Sequence, residues 1–135
     1  MSKPIIVGIS GASGIVYGLR ALQLLRECSI QTHLVISKSA KLTLHYELDL
    51  SLAELEALAS EVHPVNQIGA SIASGSFPTA GMLIAPCSVR TMSEIATGVT
   101  SSLLTRAADV VLKERRRLVL MVRETPLHTG HLRTM

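Results

Sequence analysis

Four short apolar segments recur along the chain, and stretches with helical periodicity separate them. The segments cover residues 5–9, 32–37, 81–85 and 118–122. They are rich in Ile, Val and Leu and have the length of strands, which is typical of parallel strands that are buried on both faces. The alternation of such strands with helices predicts an α/β protein with a parallel sheet covered on both sides.

The helical stretches predict the order β-α-β-α-α-loop-β-α-α-β. Helices are predicted at 40–46, 52–59 and 103–116. Two more are predicted without both bounds, one that begins at residue 15 and one that runs through residues 95–96. Ser51 and Glu54 have the S-x-x-E spacing of a capping box at the start of the third helix. The loop at 66–80 is rich in small polar residues, and Pro78 ends any regular element there. We expect this loop to be mobile, either as an inert connector or as the cover of a site.

Small polar or charged residues follow each predicted strand. Gly11-Ala12-Ser13-Gly14 comes between the first strand and a helix, where free N–H groups and the helix dipole favour an anion. The other strands are followed by Ser37-Lys38-Ser39, by residues 86–91 and by Arg123-Glu124. Because the carboxyl ends of parallel strands lie at one edge of a sheet, these turns are expected to converge on one ligand. Together they predict a phosphate-bearing ligand, whereas each alone also fits a plain turn or a serine N-cap.

Composition excludes some classes of function. The 135 residues suit one domain, and with 47% hydrophobic but only 2% aromatic residues its core must be aliphatic. Nucleic-acid binding through stacked aromatic side chains is therefore not expected. No apolar run reaches the length of a membrane span, and no membrane association is predicted. The net charge of +3 is concentrated at residues 113–117, which either form a solvated helix end or meet an anionic partner.

The cysteines and histidines offer few candidates for catalysis or metal binding. Cys28 and Cys87 form no C-x-x-C motif and are expected to be free thiols in a reducing, cytoplasmic compartment. Cys87, at a strand end, is either an activated nucleophile or, as we prefer, a small buried apolar residue. His33 is interpreted as a core histidine, and His128 with His131 as a surface pair rather than a zinc site.

Seven segments match one protein family in order and spacing. They are residues 11–14, 36–38, 74–77, 85–91, 106–110, 112–116 and 123–127. Through these segments the whole chain resembles the UbiX-type flavin prenyltransferases, once described as phenylacrylic-acid decarboxylases.

The resemblance implies a fold and a reaction. The fold is a Rossmann-like, flavodoxin-like domain that binds FMN between the subunits of a large homo-oligomer, typically a dodecamer. The reaction joins the dimethylallyl group of dimethylallyl phosphate to N5 and C6 of reduced FMN. The prenylated FMN then serves a UbiD-type decarboxylase. The resemblance implies no metal in this reaction, and no metal-binding residues are predicted.

The resemblance also implies roles for particular residues. Residues in contact with FMN would be Gly11, Ala12, Ser13, Ser37, Ser88, Val89, Arg90, Thr91 and Arg123. Ser13 would also lie near the prenyl phosphate, which Arg106, Lys113 and Glu124 would surround. These residue types suit the chemistry, because cations stabilise a departing phosphate and a carboxyl group can move a proton.

Members of this family usually continue through another strand and a long C-terminal helix. A Tyr and an Arg in that part complete the prenyl-phosphate site. We expect residues 1–135 to be a single FMN-binding domain without those elements, so that FMN binding survives better than prenyl transfer. Two other functions are compatible with such a chain: a flavoprotein decarboxylase of the cysteine-decarboxylase type, or a non-catalytic FMN-binding subunit.

Overall fold

A five-stranded, all-parallel sheet forms the centre of the protein. In the computed structural model, which describes residues 2–135, the strands are β1 (Ile5–Ile9), β2 (Thr32–Ile36), β3 (Glu61–His63), β4 (Gly81–Cys87) and β5 (Arg117–Val122). Their order is β3-β2-β1-β4-β5, and each neighbouring pair is parallel. The central strand β1 pairs on both sides, so that Ile5 lies opposite Thr32 in β2 and Gly81 in β4.

Helices cover both faces of the sheet. They are α1 (Ile15–Glu27), α2 (Lys38–Glu47), α3 (Leu52–Glu56), α4 (Val89–Thr97), α5 (Leu103–Lys113) and α6 (Thr129–Thr134), with a 3₁₀ turn at Ser71–Ala73. Successive strand residues face opposite sides. Val7 packs in the core beneath α1 to α3, whereas Ile6 packs in the core beneath α4 and α5. The predicted flavodoxin-like three-layer α/β sandwich is thus confirmed. Within the described residues, no helix combines the length and hydropathy needed to cross a membrane.

The two edge strands differ from the sequence-based prediction. β3 was not predicted, because three residues, of which two are exposed, carry no recognisable apolar pattern. Residues 118–122 do form a strand, but the prediction that it is buried is wrong. Among the described strands β5 pairs only with β4, and its residues alternate between exposed and half-buried, with Val119 48% and Met121 41% exposed.

Residues 66–80 form a packed segment rather than a free loop. Ile72 and Ala73 are buried in the core beneath α5. The guanidinium of Arg116 donates hydrogen bonds to the carbonyls of Gly75 (2.8 Å) and Phe77 (3.0 Å). One cation of the basic run at 113–117 is therefore used to hold this segment against the domain.

Two helices end earlier than predicted. The capping box of Ser51 and Glu54 is present, but α3 ends at Glu56. Similarly, α5 ends at Lys113, and Arg115 has a left-handed backbone conformation with φ of 57°. The chain then enters β5 at the amino edge of the sheet, close to Gly81. As a result, α5 runs antiparallel to the strands, with Ser102 near their carboxyl ends and Lys113 near their amino ends.

Candidate active site

The carboxyl ends of four strands are joined by hydrogen bonds. Ser10, buried at the end of β1, donates from its hydroxyl to the carbonyl of Pro86 (2.9 Å) and accepts from the N–H of Ser88 (2.7 Å). The N–H of Ser37 donates to Ile9, and that of Arg123 donates to Cys87. The turns after β1, β2, β4 and β5 therefore form one continuous edge, as the sequence predicts for a parallel sheet.

A cavity of about 500 Å³ opens at this edge, a size typical of small-molecule sites. Its polar wall includes Ser37, Lys38, Ser39, Ser88, Arg90 and Thr91. These residues come from the starts of α2 and α4, where two helix dipoles favour an anion. Hydroxyls, cations and helix N-termini are the groups that hold a phosphate, so the residues present fit the phosphate tail of FMN. Arg90 is paired with Glu94 (3.2 Å), whose side chain also lines the cavity, so a phosphate there would compete with this carboxylate for Arg90.

Serine hydroxyls organise the helix starts that face this cavity. Ser37 Oγ accepts from the N–H of Ala40 (3.1 Å), and Ser88 Oγ accepts from the N–H of Thr91 (3.2 Å). Ser88 also donates to the hydroxyl of Thr91 (3.1 Å). Both serines thus cap helices and also line the cavity, so capping and ligand contact are compatible at the same residue.

The turn after β1 is beside the cavity rather than in its wall. Gly14 has φ of 107°, a conformation that favours glycine. A Cβ on Gly11 would clash with Ser39 Oγ, which shows how closely this turn approaches the start of α2. Ala12 is buried and Ser13 is exposed, so only the serine presents its side chain to solvent here.

Glu47 is a residue at this turn that the sequence did not reveal. Its carboxylate accepts from the N–H of Gly14 (3.0 Å) and from that of Ile15 (3.2 Å). These are the amides at the start of α1, where the glycine-rich turn predicts a phosphate. In this structure they are bonded to the protein's own carboxylate, and a phosphate there would have to displace it. Glu47 lies more than thirty positions along the chain from Gly14, so no local motif links them.

The residues expected around a prenyl phosphate are not brought together within one chain. Arg106 is half-buried, and its Nε is buried without a hydrogen-bond partner among residues 2–135, which suits a site for an anion. Lys113 lies seven positions further along α5, about 10 Å at the helical rise of 1.5 Å per residue. Glu124 follows β5 at the opposite, carboxyl edge, and its carboxylate accepts from the N–H of Thr125 (3.0 Å). Arg123 beside it is exposed.

The structure resolves the alternatives for the two thiols. Cys87 is completely buried, and burial raises the pKa of its thiol to about 12, against a smaller opposing effect of the Met92 backbone N–H. It is therefore protonated at neutral pH, the reverse of what an activated nucleophile with a lowered pKa requires. Its interpretation as a buried apolar residue is confirmed, and Cys28 is an exposed free thiol.

His33 is buried in β2, as expected of a core histidine, but it has an unpredicted partner in His63. Burial lowers the pKa of His33, and the charge of Glu61 opposes this while that of His63 adds to it. Burial likewise lowers the pKa of His63, again against Glu61. Both imidazoles are therefore neutral at pH 7.

The fold and the carboxyl-edge cavity define the class as an α/β flavoprotein. The profile of the Flavoprotein family matches residues 1–132. A flavin prenyltransferase UbiX from Thauera aromatica is 60% identical over 131 residues, which cover 97% of this chain and 68% of the relative. The chain belongs to the UbiX flavin prenyltransferase family.

Solved structures of similar proteins agree. AnUbiX (PadA1), crystallised with FMN and dimethylallyl pyrophosphate, matches with a TM-score of 0.98 and 46% identity over 100% of this chain and 72% of its own. A dodecameric FMN-dependent UbiX-like decarboxylase from Escherichia coli O157:H7 matches with a TM-score of 0.96 and 48% identity, over 98% and 73% of the two chains. The chain thus spans about seven-tenths of the length of these proteins.

Proposed function

We propose that this chain transfers a dimethylallyl group from dimethylallyl phosphate to reduced FMN and so makes prenylated FMN for a UbiD-type decarboxylase. The observation that carries the proposal is its 60% identity to a flavin prenyltransferase across nearly its whole length. The cavity at the carboxyl edge, with its hydroxyls and cations, supports FMN as the bound flavin.

Different residues at the carboxyl edge would bind different parts of FMN. Ser37, Ser88, Arg90 and Thr91 would hold the phosphate and the polar tail, because they line the cavity at two helix starts. Gly11, Ala12 and Ser13, with Val89 and Arg123, would contact the remainder of FMN at the rim. Reduced FMN would supply the nucleophilic N5 and C6 atoms that receive the prenyl group.

Positively charged side chains would favour the departure of phosphate from the prenyl donor. The C–O bond of the allylic phosphate would break as its carbon bonds to N5 in place of the N5 proton, and negative charge would build up on the leaving phosphate. The bond to C6 would form as the C=C bond of the transferred group takes up a proton and C6 releases one. Arg106 and Lys113 would stabilise that charge, and the hydroxyl of Ser13 would donate to the phosphate. Glu124, together with the departing phosphate, would carry the proton released at C6.

A second copy of the chain would be needed to complete this arrangement. Within one chain Lys113 lies at the amino edge of the sheet, whereas Ser13 and Glu124 lie at the carboxyl edge. A homo-oligomer in which α5 of one subunit reaches the cavity of another would bring the three together. The dodecameric assembly of the UbiX-like protein from E. coli O157:H7 supports such an arrangement.

Anaerobic mixing of the purified chain with reduced FMN and dimethylallyl monophosphate, or diphosphate in a parallel reaction, tests the proposal. The bound flavin should gain the mass of one prenyl group with at least one of the donors. FMN binding without any mass gain would contradict the proposal and would favour a non-catalytic FMN-binding subunit. Failure to bind FMN at all would also overturn the assignment of the cavity.

A further inference from the structure

Three potential metal ligands converge where β2 meets the edge strand β3. His33 Nδ1 lies 2.8 Å from His63 Nε2. The Glu61 carboxylate oxygen Oε2 is 3.6 Å from the first nitrogen and 3.8 Å from the second. The parallel register explains the convergence, because His33 pairs with Glu61 and Val35 pairs with His63, so these side chains share one face of the sheet.

The spacing of the three atoms suits a small divalent ion. A point equidistant from atoms with these separations lies about 2.0 Å from each, which is the usual distance from zinc to imidazole nitrogen or carboxylate oxygen. Two imidazole nitrogens so close together need a cation or a shared proton between them. The adjacent carboxylate favours the cation, because it adds a third ligand and a negative charge.

The surroundings resemble the partly enclosed shell of a metal site. The side chains of His33 and His63 are only 8% and 11% exposed, whereas that of Glu61 is 62% exposed. The ring of Phe77 packs against His33 with its centroid 5.2 Å away, on the segment that Arg116 holds in place. The imidazoles are thus held in place by apolar packing. Because the Glu61 carboxylate is exposed, an ion can enter the cluster from solvent.

We propose that His33, Glu61 and His63 bind a divalent metal ion of the zinc class. This site is separate from the carboxyl-edge cavity, because His33 precedes Ser37 by four strand residues, about 13 Å along β2. The ion would stabilise β3, a strand of three residues that has little buried surface of its own. Three protein ligands leave the fourth position of the ion to a water molecule. The proposed effect on β3 does not depend on prenyl transfer.

Zinc titration of the untagged chain, in a Cys28→Ser background that removes the exposed thiol, tests the site. We expect one high-affinity Zn²⁺ per chain by calorimetry, and a Tm that rises with zinc concentration because the ion binds the folded state. Glu61→Gln and His63→Asn should each weaken zinc binding about tenfold or more, the scale on which metal sites respond even to supporting residues. Co²⁺ in place of zinc should give the visible absorption of a low-coordinate nitrogen and oxygen site.

The matched control is His128→Gln with His131→Gln, which removes the other histidine pair of the chain. Those two rings stack with centroids 3.5 Å apart at the start of α6 and are accessible to added metal. Zinc binding that persists in this control but is weakened in Glu61→Gln supports the proposal. Glu61→Gln remains decisive if His63→Asn does not fold, because the Glu61 side chain is mostly exposed. The absence of zinc binding in the parent chain would overturn the proposal, and equal binding in parent and Glu61→Gln would show that the zinc does not use this three-residue site.

Discussion

Cys87 lies at the end of β4, directly before the N-cap Ser88 of α4. A thiol at such a helix start commonly has a lowered pKa, because the N–H groups and the dipole stabilise the thiolate. Here the opposite holds. Complete burial removes water from the sulfur, and this desolvation exceeds the effect of the backbone N–H. The chemistry of this residue is thus decided by its surroundings in three dimensions and not by its neighbours in sequence.

We predict that the two thiols differ sharply in alkylation. With iodoacetamide at pH 8, Cys28 of the folded protein should be modified, and Cys87 should remain unmodified because its pKa of about 12 leaves almost no thiolate. Peptide mass spectrometry would locate the label. Both thiols should react once the chain is unfolded in guanidinium. Rapid labelling of Cys87 in folded Cys28→Ser protein would contradict this account.

At the scale of elements, three helices begin with the same serine cap but have different surroundings. Ser37, Ser51 and Ser88 each accept a hydrogen bond from the N–H three residues later, at 3.1 to 3.2 Å. Ser37 and Ser88 follow strands β2 and β4 and face the cavity, whereas Ser51 starts α3 elsewhere. Local sequence is sufficient to predict the caps. The position of each helix relative to the sheet decides which cap can also contact a ligand.

This comparison supplies a matched pair of variants. Ser88→Ala and Ser51→Ala should each lower the free energy of unfolding by about 1 kcal/mol, because each removes one N-cap. Only Ser88→Ala should also weaken FMN binding, since its hydroxyl lines the cavity. Urea denaturation and titration of flavin fluorescence measure the two effects. An equal loss of FMN affinity in Ser51→Ala would mean that binding responds to overall stability and not to the cavity.

The distribution of functional groups over the whole molecule points to an assembly. Lys113 and the carboxyl-edge residues Ser13 and Glu124 lie at opposite edges of the sheet, so one chain does not close the proposed prenyl-phosphate site. Large apolar side chains are also exposed on α2 beside the cavity, notably Tyr46 at 84% and Leu42 at 66%. Exposed apolar groups next to a binding site are typical of subunit interfaces. Both observations support a homo-oligomer with shared sites.

A shared site predicts complementation between variants. Lys113→Ala should lower prenyl transfer much more than FMN binding, whereas Arg117→Ala, which removes another cation of the same basic run, should change both little. Ser13→Ala should also be impaired. Because the two defects lie at opposite edges, mixed oligomers of Lys113→Ala and Ser13→Ala should regain activity above either variant alone, as measured by prenylated flavin formed. Native mass spectrometry should show that the mixed species are oligomers. Activity in a monomer would contradict the shared site.

The sequence by itself determined the α/β class, the parallel sheet and the alignment of strand-end turns along one edge. These features depend on short-range patterns: apolar strands of five or six residues, helical periodicity, and serines or glycines at helix starts. The turns after β1, β2, β4 and β5 could all be predicted because each follows its strand directly. The motifs also carried the resemblance to a family, which supplied FMN and the prenyl donor.

Only the tertiary structure decided which distant groups meet. Glu47 reaches the amides of Gly14 and Ile15, and His63 reaches His33, across about thirty residues of chain. The tertiary structure also decided that Lys113 lies away from Glu124. Helix α5 ends at the amino edge of the sheet, where β5 begins, whereas Glu124 follows β5 at the carboxyl edge. Such contacts depend on strand order and register, which arise from the packing of the whole core and leave no mark in the local pattern of residues.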